Sequence, residues 1–329
     1  MNHEIDLDQI HEETPLPYPP WKPPPVQVCE SLFHLKKQSD PPSFLKSESL
    51  NHISEHSSSY IIYTDGSKTN SSVGCSAVGV DQEIALKLPP YISNYSAELL
   101  AISKAIDLGN NSELATIVII TDSKSSIFAI RKIYPDNWIT QEIHSKLHAS
   151  GKTFHLCWVP SHSGIPGNER ADRLAKETEN LTVITNIRIP RSDLKASIKF
   201  KTKEAWRREW ANIQDNKKLR EITDSINELP NSNCSDREWQ IILCRLRIGH
   251  SRLTQSYHMT RSARPRCDFC GDWLEIKHIL IECPYYEPKR NLYFPNTNRN
   301  MFSLLNSGDT SPRGPIYKFL SEINMLRLL

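Results

Sequence analysis

The stretch SYIIYTDGSKTNSSVGCSAVGVDQEIALKL, Ser59–Leu88, decides the fold. Three runs of strand-forming residues, Ser59–Asp65, Ser72–Val80 and Glu83–Leu88, are separated by turn signals near Ser67–Ser71 and at Asp81–Gln82. Connections this short imply antiparallel neighbours. Working outward, Ser96–Leu108 reads as an amphipathic helix, with Leu99, Leu100, Ile102, Ser103 and Ile106 on its inner side and Gly109-Asn110 at its end. Ala115–Thr121 is an apolar run short enough for a buried strand. Helices over Ser123–Ile133 and Thr140–Ala149, a fifth strand over Phe154–Val159 and a helix over Asn168–Glu179 follow. The order β-β-β-α-β-α-α-β-α predicts an α/β domain, a mixed five-stranded sheet flanked by helices.

In this topology four acidic residues converge. Asp65 and Asp122 lie at or near the ends of two strands expected side by side at the sheet centre. Glu98 falls in the first turn of the helix packed on them, and Asp172 in the first turn or so of the last helix, where the macrodipole favours carboxylates. Taken singly, each could be a cap or a surface charge. Four like charges held together repel, unless divalent cations sit among them. Two such ions about 3.5–4 Å apart form a standard apparatus for cutting phosphodiesters. The residues therefore point to a metal-dependent nuclease.

The segments Tyr63-Thr64-Asp65-Gly66-Ser67, Ser96-Ala97-Glu98-Leu99-Leu100 and Thr121-Asp122-Ser123, with the run from Trp158 through His162 and Asn168 to Asp172, resemble type 1 ribonuclease H. In particular they resemble the ribonuclease H domain of non-LTR retrotransposon polyproteins, over about Ser59–Asn180. The resemblance implies endonucleolytic hydrolysis of the RNA strand of an RNA–DNA hybrid, leaving 3′-hydroxyl and 5′-phosphate ends. It implies two Mg²⁺ ions, with Mn²⁺ as an alternative. Asp65 would bridge both, Glu98 and Asp122 would hold the ion that activates water, and Asp172 would complete the other shell. It also implies a proton-shuttling or product-releasing role for His162 and substrate contacts from Ser67, Ser123 and Asn168. From the residues alone, Asn168 could simply cap the last helix. Two departures stand out. Lys124 follows Thr-Asp-Ser where many cellular relatives carry Gln, and only Tyr134–Trp138 separates the two helices where many carry a basic protrusion.

Further on, Cys267-x2-Cys270-x7-His278-x4-Cys283 has the composition of a closed tetrahedral Zn²⁺ site. The segment resembles the C-terminal Cys-Cys-His-Cys module of non-LTR reverse transcriptases. Arg245, Arg247, His250, Arg261, Arg264, Arg266, Lys277, Lys289 and Arg290 around it could contact phosphates. The stretch from Leu181 to Tyr293 carries 21 Lys and Arg against 14 Asp and Glu. This region could bind further nucleic acid, or the zinc could hold a small fold together. Helices are expected over Leu194–Asn212, with Trp206 and Trp210 as core, over Arg237–Ile248 and over Ile316–Leu328.

Residues 1–57 are rich in Pro and Ser, among them Pro15, Pro17, Pro19, Pro20 and Pro23–Pro25, and read as a linker or arm draped through Trp21, Leu32 and Phe33. The expected division is thus arm 1–57, ribonuclease H domain 58–180 and a mainly helical region 181–329. Of eight cysteines, Cys29, Cys75, Cys157, Cys234 and Cys244 read as reduced thiols, several filling the core. No run is long and apolar enough for a membrane span and no signal peptide is evident, so an intracellular protein, nuclear or cytoplasmic, is expected. The net charge of +2 names no partner and no oligomeric state. No polymerase palm motif precedes the nuclease. The alternatives to a hybrid ribonuclease are an inactive nucleic-acid-binding remnant and a domesticated interaction protein.

Overall fold

A computed structural model describes residues 18–329 except 20, 136, 214–217, 227–228, 232–233, 296–298 and 307–308. Pro15, Pro17 and Pro20 of the expected arm lie outside the described residues. The chain divides into two compact units, Met1–Phe200 and Lys201–Leu329.

The first unit is built on one mixed sheet in the order β1-β6-β5-β2-β3-β4. Its strands are β1 (Val26–Cys29), β2 (Tyr60–Lys68), β3 (Val73–Val78), β4 (Glu83–Leu88), β5 (Thr116–Thr121) and β6 (Thr153–Trp158). Its helices are α1 (Pro42–Ser54), α2 (Asn94–Asn111), α3 (Lys124–Arg131), α4 (Trp138–Ala149) and α5 (Pro166–Glu177). The meander β2-β3-β4 is antiparallel, while β5 and β6 extend it in parallel. β5 is buried from Ile117 to Thr121, as a central strand covered on both faces must be, and its β-branched residues suit that place.

Alternation along β2 sets the two layers. Gly66 points to α2, where a Cβ would meet Glu98 N at 2.5 Å. Tyr63 points the other way, to the start of α5, where a Cβ on Gly167 would meet its ring at 2.2 Å. Ser76, the partner of Asp65 across the β2–β3 ladder, donates to Ala171 O on α5 at 2.7 Å. α2 and α5 therefore cover opposite faces.

The arm is where the structure departs most from expectation. From Val26 it supplies a sixth strand, β1, parallel to β6, and then α1. A four-residue edge strand entered from prolines is compatible with sheet pairing, because nothing on its outer side needs a donor. Leu32 is buried as expected, whereas Trp21 is exposed. Both helices carrying acidic residues begin earlier than the sequence suggested. Ser93 caps α2 by accepting from Ser96 N, and Pro166 opens α5 at a position that has no use for an N–H. Glu98 and Asp172 therefore sit in second turns.

A long helix, α6 (Arg191–Asn212), spans the division between the units. It is largely exposed, and Trp206, expected in a core, is 55% exposed because the helix has no continuous apolar stripe. Beyond it come α7 (Arg237–Ile248), α8 (Arg252–Gln255), α9 (Tyr257–Thr260), α10 (Glu287–Tyr293), α11 (Met301–Leu305) and α12 (Pro315–Glu322). Asp236 caps α7 and left-handed Gly249 ends it. Trp239, Leu243, Leu246, Leu280, Phe319 and Leu320 centre a second core. α12 stops at Glu322, short of Leu328, where Asn324 turns left-handed.

Candidate active site

Asp65 lies on β2 one residue past the end of its pairing with β5, and Asp122 follows β5 directly. Parallel neighbours thus deliver both carboxylates to one edge. Glu98 reaches the same point from α2, because Gly66 lets the helix backbone approach the strand and its N–H bonds the Glu98 carboxylate. One oxygen from each of Asp65, Glu98 and Asp122 lies within 4.8 Å of the others.

The electrostatics of this triad are severe. Burial, with the Asp122 and Asp172 charges, pushes Asp65 up to about 8. Burial, with Asp65 and Asp122, pushes Glu98 up to about 9. Asp122 is also raised, chiefly by burial, against the pull of His162 and a hydrogen bond from Asn168. Glu98 Oε2 is buried without a hydrogen-bond partner among the described residues. Two buried carboxylates and one half-buried, with one oxygen unpartnered and all three resisting ionisation, fit hard divalent cations as the countercharge.

Asp172 stands apart from the triad. Lys176, one turn further along α5, donates to Asp172 Oδ2 at 2.7 Å. Asp172 groups instead with Glu169 and His162, one ligand atom of each lying within 4.8 Å of the others. Even so, Asp65, Glu98, Asp122, His162 and Asp172 all line one polar cleft of about 470 Å³.

His162 is exposed, on a turn where it and Gly164 are both left-handed. Ser163 Oγ donates to Pro160 O at 2.8 Å, and Glu169 Oε1 accepts from Gly164 N at 3.2 Å. Glu169 was not singled out from sequence, although it lies within the same motif run.

The three expected substrate contacts separate. Ser123 lines the cleft but also caps α3, accepting from Ser126 N. Ser67 does not appear among the cleft-lining residues. Asn168 is buried and does not cap α5, since Ile165 holds that place; its side chain instead bonds Asp122.

Lys124 lines the cleft, with its ammonium held against Trp158 and Phe33. Its Nζ sits 3.7 Å from the centroid of the Trp158 ring and donates to Phe33 O at 3.1 Å. Trp158 Nε1 in turn donates to Asp122 O at 2.9 Å. The N-terminal segment brings other cations to the rim, which sequence reasoning missed. Lys37 Nζ donates to Ser161 Oγ at 3.1 Å, and Lys46 lies against Gly164.

In the second unit, Cys267, Cys270, His278 and Cys283 come together as the spacing suggested. Cys267 N donates to Asp272 O and Gly271 N to Cys267 O, closing a turn that left-handed Gly271 permits. A π-helical turn, His278–Glu282, brings the other two donors. Cys267 Sγ lies 3.8 Å from Cys283 Sγ, and Cys270 Sγ 3.3 Å from His278 Nε2. Two flanking cations are withdrawn from solvent. Arg290 is buried and donates to Cys283 O and Ile279 O; Arg247 is buried and donates to Leu305 O and Pro230 O. Arg264 pairs with Glu275, Lys277 with Glu221 and Glu282, and Lys289 with Glu322. No helix among the described residues is long and apolar enough to cross a membrane.

Residues 57–180 match the family model described as RNase H. Ribonuclease H1 of Rattus norvegicus is 25% identical over 167 residues, covering 44% of this chain and 57% of the relative. Ribonuclease H1 of Mus musculus is 26% identical and that of Homo sapiens 25%, over the same extents. The chain thus spans little more than half the length of these curated relatives.

Proposed function

From an RNase H domain at residues 57–180, we propose that this chain hydrolyses the RNA strand of RNA–DNA hybrids, cutting endonucleolytically with two divalent cations, Mg²⁺ or Mn²⁺. The observation that carries the proposal is the convergence of buried Asp65 and Glu98 with half-buried Asp122 within 4.8 Å. Those three, with Asp172, would hold the ions, which when bound lower the pKa of the attacking water and stabilise the departing 3′ oxygen.

The chain's own residues supply placement. Gly66 N–H orients Glu98, and Asn168 orients Asp122. Lys176 pairs with Asp172 at the cleft wall and so orients its carboxylate. The His162 imidazole lines the cleft from an exposed turn, where it can reach a bound hybrid or help release product. Ser123 and Lys37 offer donors for the substrate backbone, partly replacing the missing basic protrusion.

The Cys267, Cys270, His278 and Cys283 cluster we assign to a structural Zn²⁺ site. Its 3.8 Å and 3.3 Å donor separations suit a tetrahedron, and two of the neighbouring arginines are spent on backbone carbonyls. Descent from a non-LTR retrotransposon polyprotein would account for an RNase H domain followed by such a module, and belongs to the same proposal.

One observation favours a second reading, binding without turnover: the fourth carboxylate, Asp172, is ion-paired with Lys176 and is not grouped with the triad. The test is an RNA–DNA hybrid with internally labelled RNA, in Mg²⁺ and in EDTA. Metal-dependent RNA fragments with 5′-phosphate ends support the hydrolase. Intact RNA on a hybrid that still binds supports the second reading.

A further inference from the structure

The first unit gathers a second set of sulfur and nitrogen donors, which the sequence had left as ordinary thiols and unremarked histidines. Cys29 closes β1 and Cys157 lies on β6, as direct partners across the parallel ladder. His52 belongs to α1 and His56 lies in the turn that follows it. One ligand atom from each of the four lies within 4.8 Å of the others. Cys157 Sγ is 4.0 Å from His56 Nε2, and the two imidazole rings meet edge to face at 5.2 Å.

The donor chemistry is selective. Two thiols and two imidazoles suit zinc, whereas Mg²⁺ and Ca²⁺ require oxygen. Zn–S bonds of about 2.3 Å and Zn–N bonds of about 2.0–2.1 Å set tetrahedral edges of about 3.3–3.8 Å, within a few tenths of an ångström of the 4.0 Å contact. Around the cluster, Glu55 Oε2 lies 3.1 Å from His52 Nδ1, the carboxylate partner that commonly fixes the tautomer of a ligating imidazole. Ser31 Oγ lies 3.3 Å from the same nitrogen and 3.4 Å from His52 Nε2. The His155 ring lies tilted 5.7 Å from that of His56.

We propose that Cys29, His52, His56 and Cys157 form a closed Cys₂His₂ zinc site that clamps the β1–α1 segment to the edge of the sheet. Four protein ligands leave no open position, so the role is structural. β1 alone offers a ladder of only four residues, a weak attachment for a chain segment this long. What the clamp fixes matters to the cleft. The residues between β1 and α1 include Phe33, whose carbonyl accepts from Lys124, and Lys37, which reaches Ser161. Zinc at this site would therefore hold one rim of the cleft in place from outside the carboxylate triad.

The test uses the full chain, purified with zinc and dialysed, with metal counted by mass spectrometry. Cys29→Ser/Cys157→Ser is expected to lose one zinc equivalent per chain relative to wild type. Unchanged zinc content would overturn the proposal. Should that double variant fail to fold, two other measurements decide. In zinc-stripped Cys267→Ser/Cys283→Ser protein, added Co²⁺ should give tetrahedral d–d bands with thiolate charge transfer, both abolished by His56→Ala. In the wild-type chain, zinc should protect Cys29 and Cys157 from N-ethylmaleimide until a chelator is added. Octahedral cobalt bands, free alkylation in zinc, or a Cys29–Cys157 disulfide formed in the presence of zinc would each contradict the site.

Discussion

Gly66 touches the backbone of Glu98 so closely that a Cβ at position 66 would lie 2.5 Å from Glu98 N and 2.8 Å from Ala97 C. The contact is backbone on backbone, so no side chain can swing aside to relieve it. Gly66→Ala should push α2 off β2 and lower stability by about 1–3 kcal/mol. Because Glu98 moves with the helix, hybrid cleavage should fall further than stability explains. Urea denaturation and cleavage rates on the same preparation would separate the two effects.

The carboxylate triad makes the metal-free chain sensitive to pH in a stated direction. Asp65 and Glu98 ordinarily titrate at 3.8 and 4.5 but are pushed up to about 8 and about 9 in the fold. Between those values the folded chain holds protons that the unfolded chain has lost. Their contribution to stability is therefore full below the ordinary values and is lost as pH rises through about 8 and 9. In EDTA the melting temperature should fall as pH rises across this window, and Mg²⁺ should restore most of the loss at the alkaline end. Asp65→Asn should flatten the fall and abolish the response to Mg²⁺. A melting temperature in EDTA that rises with pH would refute this electrostatic description.

Arg290 distinguishes a structural module from a phosphate-binding one. It is 1% exposed and holds Cys283 O and Ile279 O, the backbone on which two of the four cluster donors are mounted. Arg290→Ala leaves those carbonyls unsatisfied and should destabilise the second unit by about 3 kcal/mol. Zinc should also leave more readily on challenge with a chelator. An effect on nucleic-acid affinity alone, with stability and zinc retention intact, would favour a direct phosphate contact instead.

Lys37 stands at the rim, bonded to Ser161 beside His162. If it meets the substrate backbone, Lys37→Ala should raise KM for the hybrid several-fold with little change in kcat. The salt dependence of binding should also become shallower by about one phosphate contact. Steady-state kinetics at two salt concentrations would show this.

How far the sequence could be read follows from the range of the interactions. The strands β2 to β6 were legible because turns, alternation and a single buried apolar run are local signals, as the antiparallel pairing of Tyr63–Lys68 with Val73–Val78 shows. The convergence of Asp65 and Asp122 followed from placing two parallel strands side by side. β1 was not legible. Val26–Cys29 is four residues in a proline-rich stretch, and its partner β6 lies more than a hundred residues away. For the same reason the meeting of Cys29 with Cys157 escaped notice, although His52 and His56 at helical spacing were a cue. The pairing of Asp172 with Lys176 is an i, i+4 contact that the expected helix already contained, whereas the turn of Asn168 towards Asp122 depends on where α5 begins. Pro166 moved that start two residues upstream.

The central claim is metal-dependent cleavage at the Asp65, Glu98 and Asp122 cluster. Its most direct test is a single-turnover assay in Mg²⁺ on one RNA sequence, presented as an RNA–DNA hybrid and as duplex RNA, with wild-type chain and Asp65→Asn. Cleavage of the RNA only in the hybrid, lost in EDTA and in Asp65→Asn, is the predicted result. Equal cleavage by Asp65→Asn, or none by a folded wild-type chain that binds both Mg²⁺ and hybrid, would contradict it.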